Sequence, residues 1–223
     1  MLLGIIGRGA WGNVYARTLD RMRVRYWQVG SDWLDRSKGL KADGYIIASS
    51  ALTHYDLALR LLEDRKPTLI EKPVCFTAKE GKALLKAGKG IVFAGHTRLY
   101  DPVWREFKKT LGPITSIHAS MGRSECKLSH EWDCGSHLSA MCFDVMFDPR
   151  KATIDTSDRH APLLFNVDGK VFTDVKSRPT PIEVLIAEFI TAIEIGKPDN
   201  SGLKLGVRVV EFLEEKYGNP FRC

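Results

Sequence analysis

Short apolar segments alternate with amphipathic segments along residues 1–95 of the chain. The apolar segments resemble buried parallel strands, and the segments between them carry apolar residues at helical spacing. Predicted strands span residues 2–6, 24–29, 44–48, 68–70 and 91–94, and predicted helices span 10–20, 52–65 and 77–87. In the helix at 52–65, the apolar face is formed by Leu52, Tyr55, Leu59 and Leu62. This alternation predicts an α/β unit with a doubly wound parallel sheet.

The pattern changes after Gly112-Pro113. Period-two alternation and turn signals predict strands at 114–121, 151–155, 161–167 and 170–175, the last two joined by a hairpin turn at Asp168-Gly169. Predicted helices span 101–110, 136–147 and 203–217, and a further one follows the capping box Thr180-Pro181-Ile182-Glu183. We therefore predict a doubly wound α/β domain at 1–97 and a smaller α+β domain at 98–223, built on an open, mostly antiparallel sheet.

Composition is that of an ordinary globular protein, with 44% hydrophobic and 27% charged residues among 223. No apolar run approaches the roughly 18 residues of a membrane span. The first strand starts directly after Met1, which leaves no room for a targeting segment and predicts a cytoplasmic protein. The net charge of +6 comes from scattered basic residues, which favours a solvated surface over a nucleic-acid interface. The odd number of cysteines, five, predicts free thiols.

The first strand runs into Gly7-x-Gly9-x-x-Gly12, which opens the first helix. Gly7 permits a tight turn, Gly9 allows close approach of phosphates, and Gly12 allows the helix to pack on the strand. The free N–H groups at the start of the helix attract an anion. A glycine-rich structural turn is the alternative, but the position directly after a strand favours a dinucleotide pyrophosphate.

Asp32 lies 20 residues after Gly12, near the position of a ribose-binding acid. A carboxylate there accepts hydrogen bonds from the ribose hydroxyls and favours NAD, whereas Ser31, Arg36 and Lys38 would favour the 2′-phosphate of NADP. The choice between the two cofactors stays open, with Asp32 as the argument for NAD. The short segment between Asp32 and Gly44 is too short for a complete strand–helix pair, so we predict that the third strand has been trimmed.

Several further motifs carry a family resemblance. They are the glycine turn, Ile46-Ile47-Ala48-Ser49-Ser50-Ala51-Leu52-Thr53-His54, Glu71-Lys72-Pro73, Gly95-His96-Thr97-Arg98, Leu111-Gly112-Pro113-Ile114, Trp132-Asp133-Cys134-Gly135-Ser136-His137 and the run from Glu188 to Pro198. In this order the chain resembles the glucose–fructose oxidoreductase/inositol dehydrogenase family. The resemblance implies a dehydrogenase that uses NAD or NADP to oxidise or reduce a carbon of a sugar, cyclitol or nucleotide-sugar. It also implies that residues 1–97 form an NAD(P)-binding Rossmann domain. Residues 98–223 would bind substrate and form a homo-oligomer through their sheet.

The resemblance implies roles for particular residues. Lys72 polarises the reacting oxygen, His137 is the acid/base, and Asp133, one helical turn earlier, orients the imidazole or binds substrate. Expected cofactor contacts are Gly7, Gly9, Ala10, Trp11, Gly12, Ser31, Asp32, Ser49, Leu52, His54, Glu71 and Lys72. Expected substrate contacts are Lys72, Arg98, Tyr100, Asp133 and His137. Arg98 and Tyr100 fit packing at the domain junction equally well, and Trp11 either covers the pyrophosphate or simply packs.

Three alternatives remain. Cys126, His130, Cys134, His137 and Cys142 include the residue types of a zinc site, but their spacing fits no standard one, so we predict no metal. A cofactor-binding scaffold or sensor without catalysis is the main rival function. A net non-redox reaction, such as epimerisation through a transient ketone, is the third.

Overall fold

A parallel sheet of five strands forms the N-terminal part of the protein. The computed structural model describes residues 1–32, 41–122, 128–158 and 160–218. The strands are β1 (Leu2–Ile6), β2 (Arg25–Val29), β3 (Gly44–Ile47), β4 (Thr68–Ile70) and β5 (Val92–Ala94). Their order is β2-β1-β3-β4-β5, and every pair is parallel. The predicted doubly wound Rossmann sheet is therefore confirmed.

Strand β2 lies at the edge of this sheet. In the described part of the chain, no strand pairs with its outer side. Residues 33–40, most of the segment between Asp32 and Gly44, lie outside the described residues, so the trimmed third strand stays a prediction. Arg36 and Lys38 lie outside the described residues, so the structure does not place them relative to β2.

The helices of this part are α1 (Ala10–Arg21), α2 (His54–Glu63) and α3 (Ala78–Ala87). The predicted start of α2 at Leu52 was wrong, because Ala51–Thr53 form a 3₁₀ turn before the helix. The tighter turn changes the register, so Leu52 is 64% exposed and does not join the buried face. The predicted capping box of α3 is confirmed, since Thr77 accepts from Glu80 N and Glu80 accepts from Thr77 N.

A second sheet of four strands has the order β7-β6-β8-β9. It contains β6 (Ile117–Ser120), β7 (Thr153–Asp155), β8 (Leu164–Val167) and β9 (Lys170–Thr173). The β6–β8 and β8–β9 pairs are antiparallel and β6–β7 is parallel, so the predicted mostly antiparallel sheet is confirmed. Asp168 and Gly169 have φ of 48° and 86°, the left-handed conformation that a tight hairpin turn needs. One sheet face packs on Trp104, whose ring lies 5.1 Å from Phe165, and the other face is exposed.

The remaining helices are α4 (Pro102–Lys109), α5 (His130–Asp144), α6 (Pro181–Ile195) and α7 (Ser201–Tyr217). The predicted start of α5 at residue 136 was wrong, because the helix begins at His130. Helices α6 and α7 return to the parallel sheet, where Val92 N donates to Asp199 O over 2.8 Å. The boundary at 97/98 stays a prediction. No described helix is long and apolar enough to cross a membrane.

Candidate active site

The carboxyl ends of the parallel strands bring the predicted motifs to one edge of the sheet. The glycine turn follows β1, Ser49 follows β3, Lys72 follows β4 and His96 follows β5. Open parallel sheets bind ligands at this edge, since the loops that leave the strands meet there. The candidate site is therefore formed by the predicted residues at this edge and by helix α5, which contacts the edge through Asp133.

The glycine turn has the geometry of a dinucleotide site. Gly7 has φ of 138°, and a Cβ there would come within 2.3 Å of Ala48 O. A Cβ on Gly12 would lie 2.2 Å from Gly7 O, so the helix packs on the turn only because Gly12 has no side chain. Above Gly9, in contrast, no described atom lies within 4 Å of the Cβ position. This open space next to the start of α1 fits a pyrophosphate.

Other predicted cofactor contacts flank this turn. Ala10 is the first residue of α1, and Trp11 is half-buried and packs against the apolar core on that side of the sheet. Ser31 and Asp32 follow β2 and are exposed, with the Asp32 carboxylate folded over Gly30, where a Cβ would lie 2.5 Å from Oδ1. Both residues therefore lie at the surface beside the glycine turn, since β2 pairs with β1.

His54 links two loops of the site. Its ring is buried, and its Nδ1 and Nε2 lie 2.8 Å from Pro73 O and 3.4 Å from Ser49 O. Burial lowers the pKa of His54, so the ring is neutral and shapes the site rather than carrying charge. Leu52 lies exposed on the turn before it.

The carboxylate of Glu71 accepts two hydrogen bonds from the protein. Tyr15 donates its hydroxyl to Oε1 over 2.6 Å, and Lys72 N donates to Oε2 over 3.1 Å. Burial raises the pKa of Glu71 to about 7. The carboxyl group thus connects helix α1 to the backbone of Lys72, and its predicted contact with the cofactor stays a prediction.

An ion pair between Lys72 and Asp133 joins the end of strand β4 to helix α5 at this site. Lys72 Nζ donates to the carboxylate of Asp133 and, over 3.0 Å, to Asp133 O. The Lys72 side chain is only 4% exposed, so the pair is largely shielded from water. Asp133 lies in the first turns of α5, and the contact brings this helix over the end of β4. The predicted role of Asp133, to orient His137 or bind substrate, stays a prediction.

Two histidines lie beside this ion pair. His137 follows Asp133 by one turn of α5 and is 6% exposed. Its ring is 6.5 Å from the ring of His96, at an angle of 83°. His96 was not among the predicted site residues, although its position directly after β5 and Gly95 was a signal for it. Burial, and then the charge of Lys72, lower the pKa of His96 to about 3.

The other predicted substrate contacts have partners in the protein. Arg98 donates to the Asp174 carboxylate over 2.5 and 3.0 Å. Tyr100 stacks on Phe93 with ring centroids 6.4 Å apart, and the Arg105 guanidinium lies 5.1 Å from its centroid. These contacts favour the alternative of packing at the domain junction.

The zinc alternative receives no support from the described ranges, in which no group of three or more metal-binding side chains comes together. Cys126 lies outside these ranges. Cys134 and Cys142 are buried on α5 and form no disulfide bond.

Residues 16–90 match the family model GFO_IDH_MocA, described as an oxidoreductase family with an NAD-binding Rossmann fold. The inositol 2-dehydrogenase of Paracoccus denitrificans is 30% identical over 149 residues, which cover 53% of this chain and 44% of that protein. The chain therefore spans less than half the length of this curated relative.

Solved structures share the fold over nearly the whole chain. The myo-inositol dehydrogenase of Lactobacillus casei, solved with NAD(H) and myo-inositol, superposes with a TM-score of 0.72 at 13% identity and covers 98% of this chain and 95% of its own. The UDP-N-acetylglucosamine 3-dehydrogenase of Acidithiobacillus ferrooxidans gives 0.74 at 13% identity, with 96% of each chain covered. These structures show that the chain shares their fold, and residues 16–90 match a family described by its NAD-binding Rossmann fold.

Proposed function

We propose that the protein is an NAD(P)-dependent oxidoreductase that transfers a hydride between the nicotinamide and a hydroxyl-bearing carbon of a sugar, cyclitol or nucleotide-sugar. One observation carries the proposal. The Lys72–Asp133 ion pair brings α5, and with it His137, to the sheet edge that carries the glycine turn. A cation, a base and a dinucleotide turn at one edge are what alcohol oxidation needs.

The residues of the glycine turn suit the cofactor. The open space above Gly9 would take the pyrophosphate of the cofactor. Asp32 would contact the adenosine half, and the exposed Leu52 would contact the nicotinamide half. When bound, the nicotinamide supplies the acceptor or donor of the hydride. Asp32 favours NAD, because a carboxylate repels a 2′-phosphate.

The roles of Lys72 and His137 follow from their charges and positions. The Lys72 ammonium donates a hydrogen bond to the reacting oxygen and stabilises the alkoxide that forms there. His137 accepts the hydroxyl proton during oxidation and returns it during reduction. Asp133 holds the ammonium in place and balances its charge in a site where an unpaired charge is costly.

Two lines support a neutral polyhydroxylated substrate. The relative from Paracoccus denitrificans and the structure from Lactobacillus casei both carry the name of an inositol dehydrogenase. In addition, both predicted cationic substrate contacts are already paired with carboxylates, Arg98 with Asp174 and Lys72 with Asp133, which disfavours an anionic group beside them. A nucleotide-sugar remains within the proposed class.

The outer face of the second sheet supports the proposed homo-oligomer. Leu164 on β8 and Val171 on β9 are 37% and 50% exposed on this face. An open sheet face with exposed apolar residues is a common self-association surface. Location in the cytoplasm stays a prediction.

The proposed function predicts that His137→Ala slows hydride transfer. Purified protein is incubated with NAD or NADP and with myo-inositol, other cyclitols, simple sugars or UDP-N-acetylglucosamine, and the reduced nicotinamide is followed by absorbance. With a substrate that the wild type oxidises, we expect His137→Ala to lower kcat about 10²- to 10⁴-fold, because general base catalysis is lost.

The exposed His160 supplies the matched control, since it lies between β7 and β8 of the second sheet and is not among the predicted site residues, so His160→Ala should leave kcat unchanged. Equal rates for wild type and His137→Ala would refute the role of His137. Tight cofactor binding without transfer from any compound in the panel would instead support a scaffold or sensor.

A further inference from the structure

His96 occupies a place at the site that the proposed mechanism does not use. His96 is the second residue after β5 and directly follows Gly95. Lys72 is the second residue after the neighbouring strand β4. The ring of His137 approaches it from α5 at a centroid distance of 6.5 Å. Three separate elements therefore bring one ammonium and two imidazoles together.

The ring of His96 is buried without a partner of its own. The residue is 2% exposed, and neither Nδ1 nor Nε2 has a hydrogen-bond partner among the residues that the structure describes. A buried donor or acceptor without a partner destabilises the folded state, so such groups in a folded protein call for an explanation. His54, equally buried at the same edge, has both ring nitrogens near carbonyl oxygens. The contrast indicates that the polar atoms of His96 serve a ligand.

The charges around His96 define the kind of ligand. The cation of Lys72 disfavours a second positive charge beside it, and burial acts in the same direction, so the imidazole is neutral. Asp133 pairs with Lys72, and Glu71 is held by Tyr15 and the Lys72 backbone. A neutral imidazole has one donor and one acceptor, which matches a hydroxyl group and offers no charge to a phosphate or carboxylate.

We propose that His96 is a substrate-binding residue whose imidazole hydrogen-bonds a hydroxyl group of the polyol next to the reacting carbon, which Lys72 and His137 contact. This inference rests on the proposed function, because it assigns a further contact in the same site. His96 sets which neighbouring hydroxyl is accepted, and His137 remains the acid/base.

The first experiment observes the imidazole directly. Wild-type protein containing isotope-labelled histidine is saturated with NADH, and its ring nitrogens are followed by NMR, with the His96→Asn spectrum assigning the His96 signals. We expect neutral ring shifts for His96 between pH 5 and 8, because its pKa is about 3. Addition of myo-inositol or UDP-N-acetylglucosamine should shift these signals and leave those of the exposed His160 unchanged.

The second experiment separates binding from proton transfer. For the compound that the wild type oxidises, His96→Phe should raise KM about tenfold with kcat changed about threefold or less, the effect of losing one buried hydrogen bond. His96→Asn, which keeps a donor and an acceptor, should recover part of the loss. The pH profile of kcat/KM should be the same in both variants as in the wild type, since His96 does not titrate in that range. A substrate analogue without the contacted hydroxyl should lose affinity in the wild type but little in His96→Phe.

Each outcome is decisive. Three results would overturn the proposal. The His96 signals could move with neither probe, or they could titrate between pH 5 and 8. A His96 variant could also lose a limb of the pH profile of kcat/KM. Shifts of the His96 signals without hydride transfer from either probe would support the contact and count against the proposed function. The NMR arm uses wild-type protein, so it holds even if His96→Phe folds poorly.

Discussion

Single residues at the site are held by contacts that no local pattern contains. The Lys72–Asp133 pair joins positions 61 residues apart, and the Tyr15–Glu71 bond joins positions 56 residues apart. The sequence motifs identified Lys72, Asp133 and His137 as members of one site. They did not predict which carboxylate pairs with Lys72, because Lys72 follows β4 and Asp133 lies on α5, two elements far apart in the chain. They also did not select His96, whose burial depends on the packing of α5 over the sheet.

Glu71 makes stability depend on pH in a direction that can be worked out. Its pKa is about 7 in the folded protein, above the ordinary value of 4.5, so the folded state binds more protons than the unfolded state between these values. Its contribution to the free energy of unfolding is therefore fully present below pH 4.5 and is lost as pH rises through about 7. The neutral analogue Glu71→Gln should remove this dependence.

The measurement is urea unfolding of wild type and Glu71→Gln at a series of pH values. We expect the difference between the two to change by an amount on the order of 3 kcal/mol from pH 4.5 to 7.5, with the wild type losing stability relative to the variant as pH rises. His96 has the opposite effect, since its lowered pKa makes stability fall as pH drops below about 6.5. Because His96 is present in both proteins, its contribution cancels in the difference between their free energies of unfolding. A difference that does not vary with pH would contradict the raised pKa of Glu71.

At the scale of elements, the strands were easier to predict than the start of α5. Strands β1 and β3 are continuous apolar runs that end in small residues, and both were placed within one residue of their observed ends. Helix α5, in contrast, is buried on nearly all sides from Cys134 to Phe143, so it has no polar face that would reveal helical spacing. Its first turn has no side-chain cap, and its start was therefore missed.

The glycine turn between β1 and α1 allows a test of an element that combines packing with binding. Gly12→Ala would place a Cβ 2.2 Å from Gly7 O, so we expect this variant to lose stability as well as cofactor binding. Gly9→Ala meets no described atom within 4 Å, and Gly9 has φ of −77°, which alanine adopts without strain. This variant should fold with wild-type stability and bind NADH at least about tenfold more weakly, because its Cβ takes the space of the pyrophosphate.

Thermal unfolding without cofactor and titration with NADH measure the two effects separately. Gly112→Ala is the control, since Gly112 also has open space at its Cβ position but lies before the second sheet. Unchanged NADH affinity in Gly9→Ala would show that the pyrophosphate does not lie on this turn.

At the scale of the whole molecule, the second sheet packs one face against the core and exposes the other face to solvent. Ile117, Ala119, Phe165 and Phe172 fill the inner face, whereas His118, Leu164, Val171 and Thr173 lie outside. This division was predictable from period-two alternation along the strands. Its consequence for assembly was not, because a strand pattern identifies an outer face without identifying what covers it.

We expect the outer face to bury itself against a second copy of the chain around a two-fold axis. In such an interface each residue contributes twice, so Val171→Asp would place two carboxylates in an apolar contact and should weaken dimerisation at least about tenfold. Sedimentation equilibrium over a range of protein concentrations measures the dissociation constant. Ile195→Asp introduces the same charge at a residue that is 68% exposed at the end of α6, outside the second sheet, and should leave the constant unchanged. A wild type that stays monomeric at every concentration, or a Val171→Asp variant that dimerises as well as the wild type, would show that this face does not form the interface.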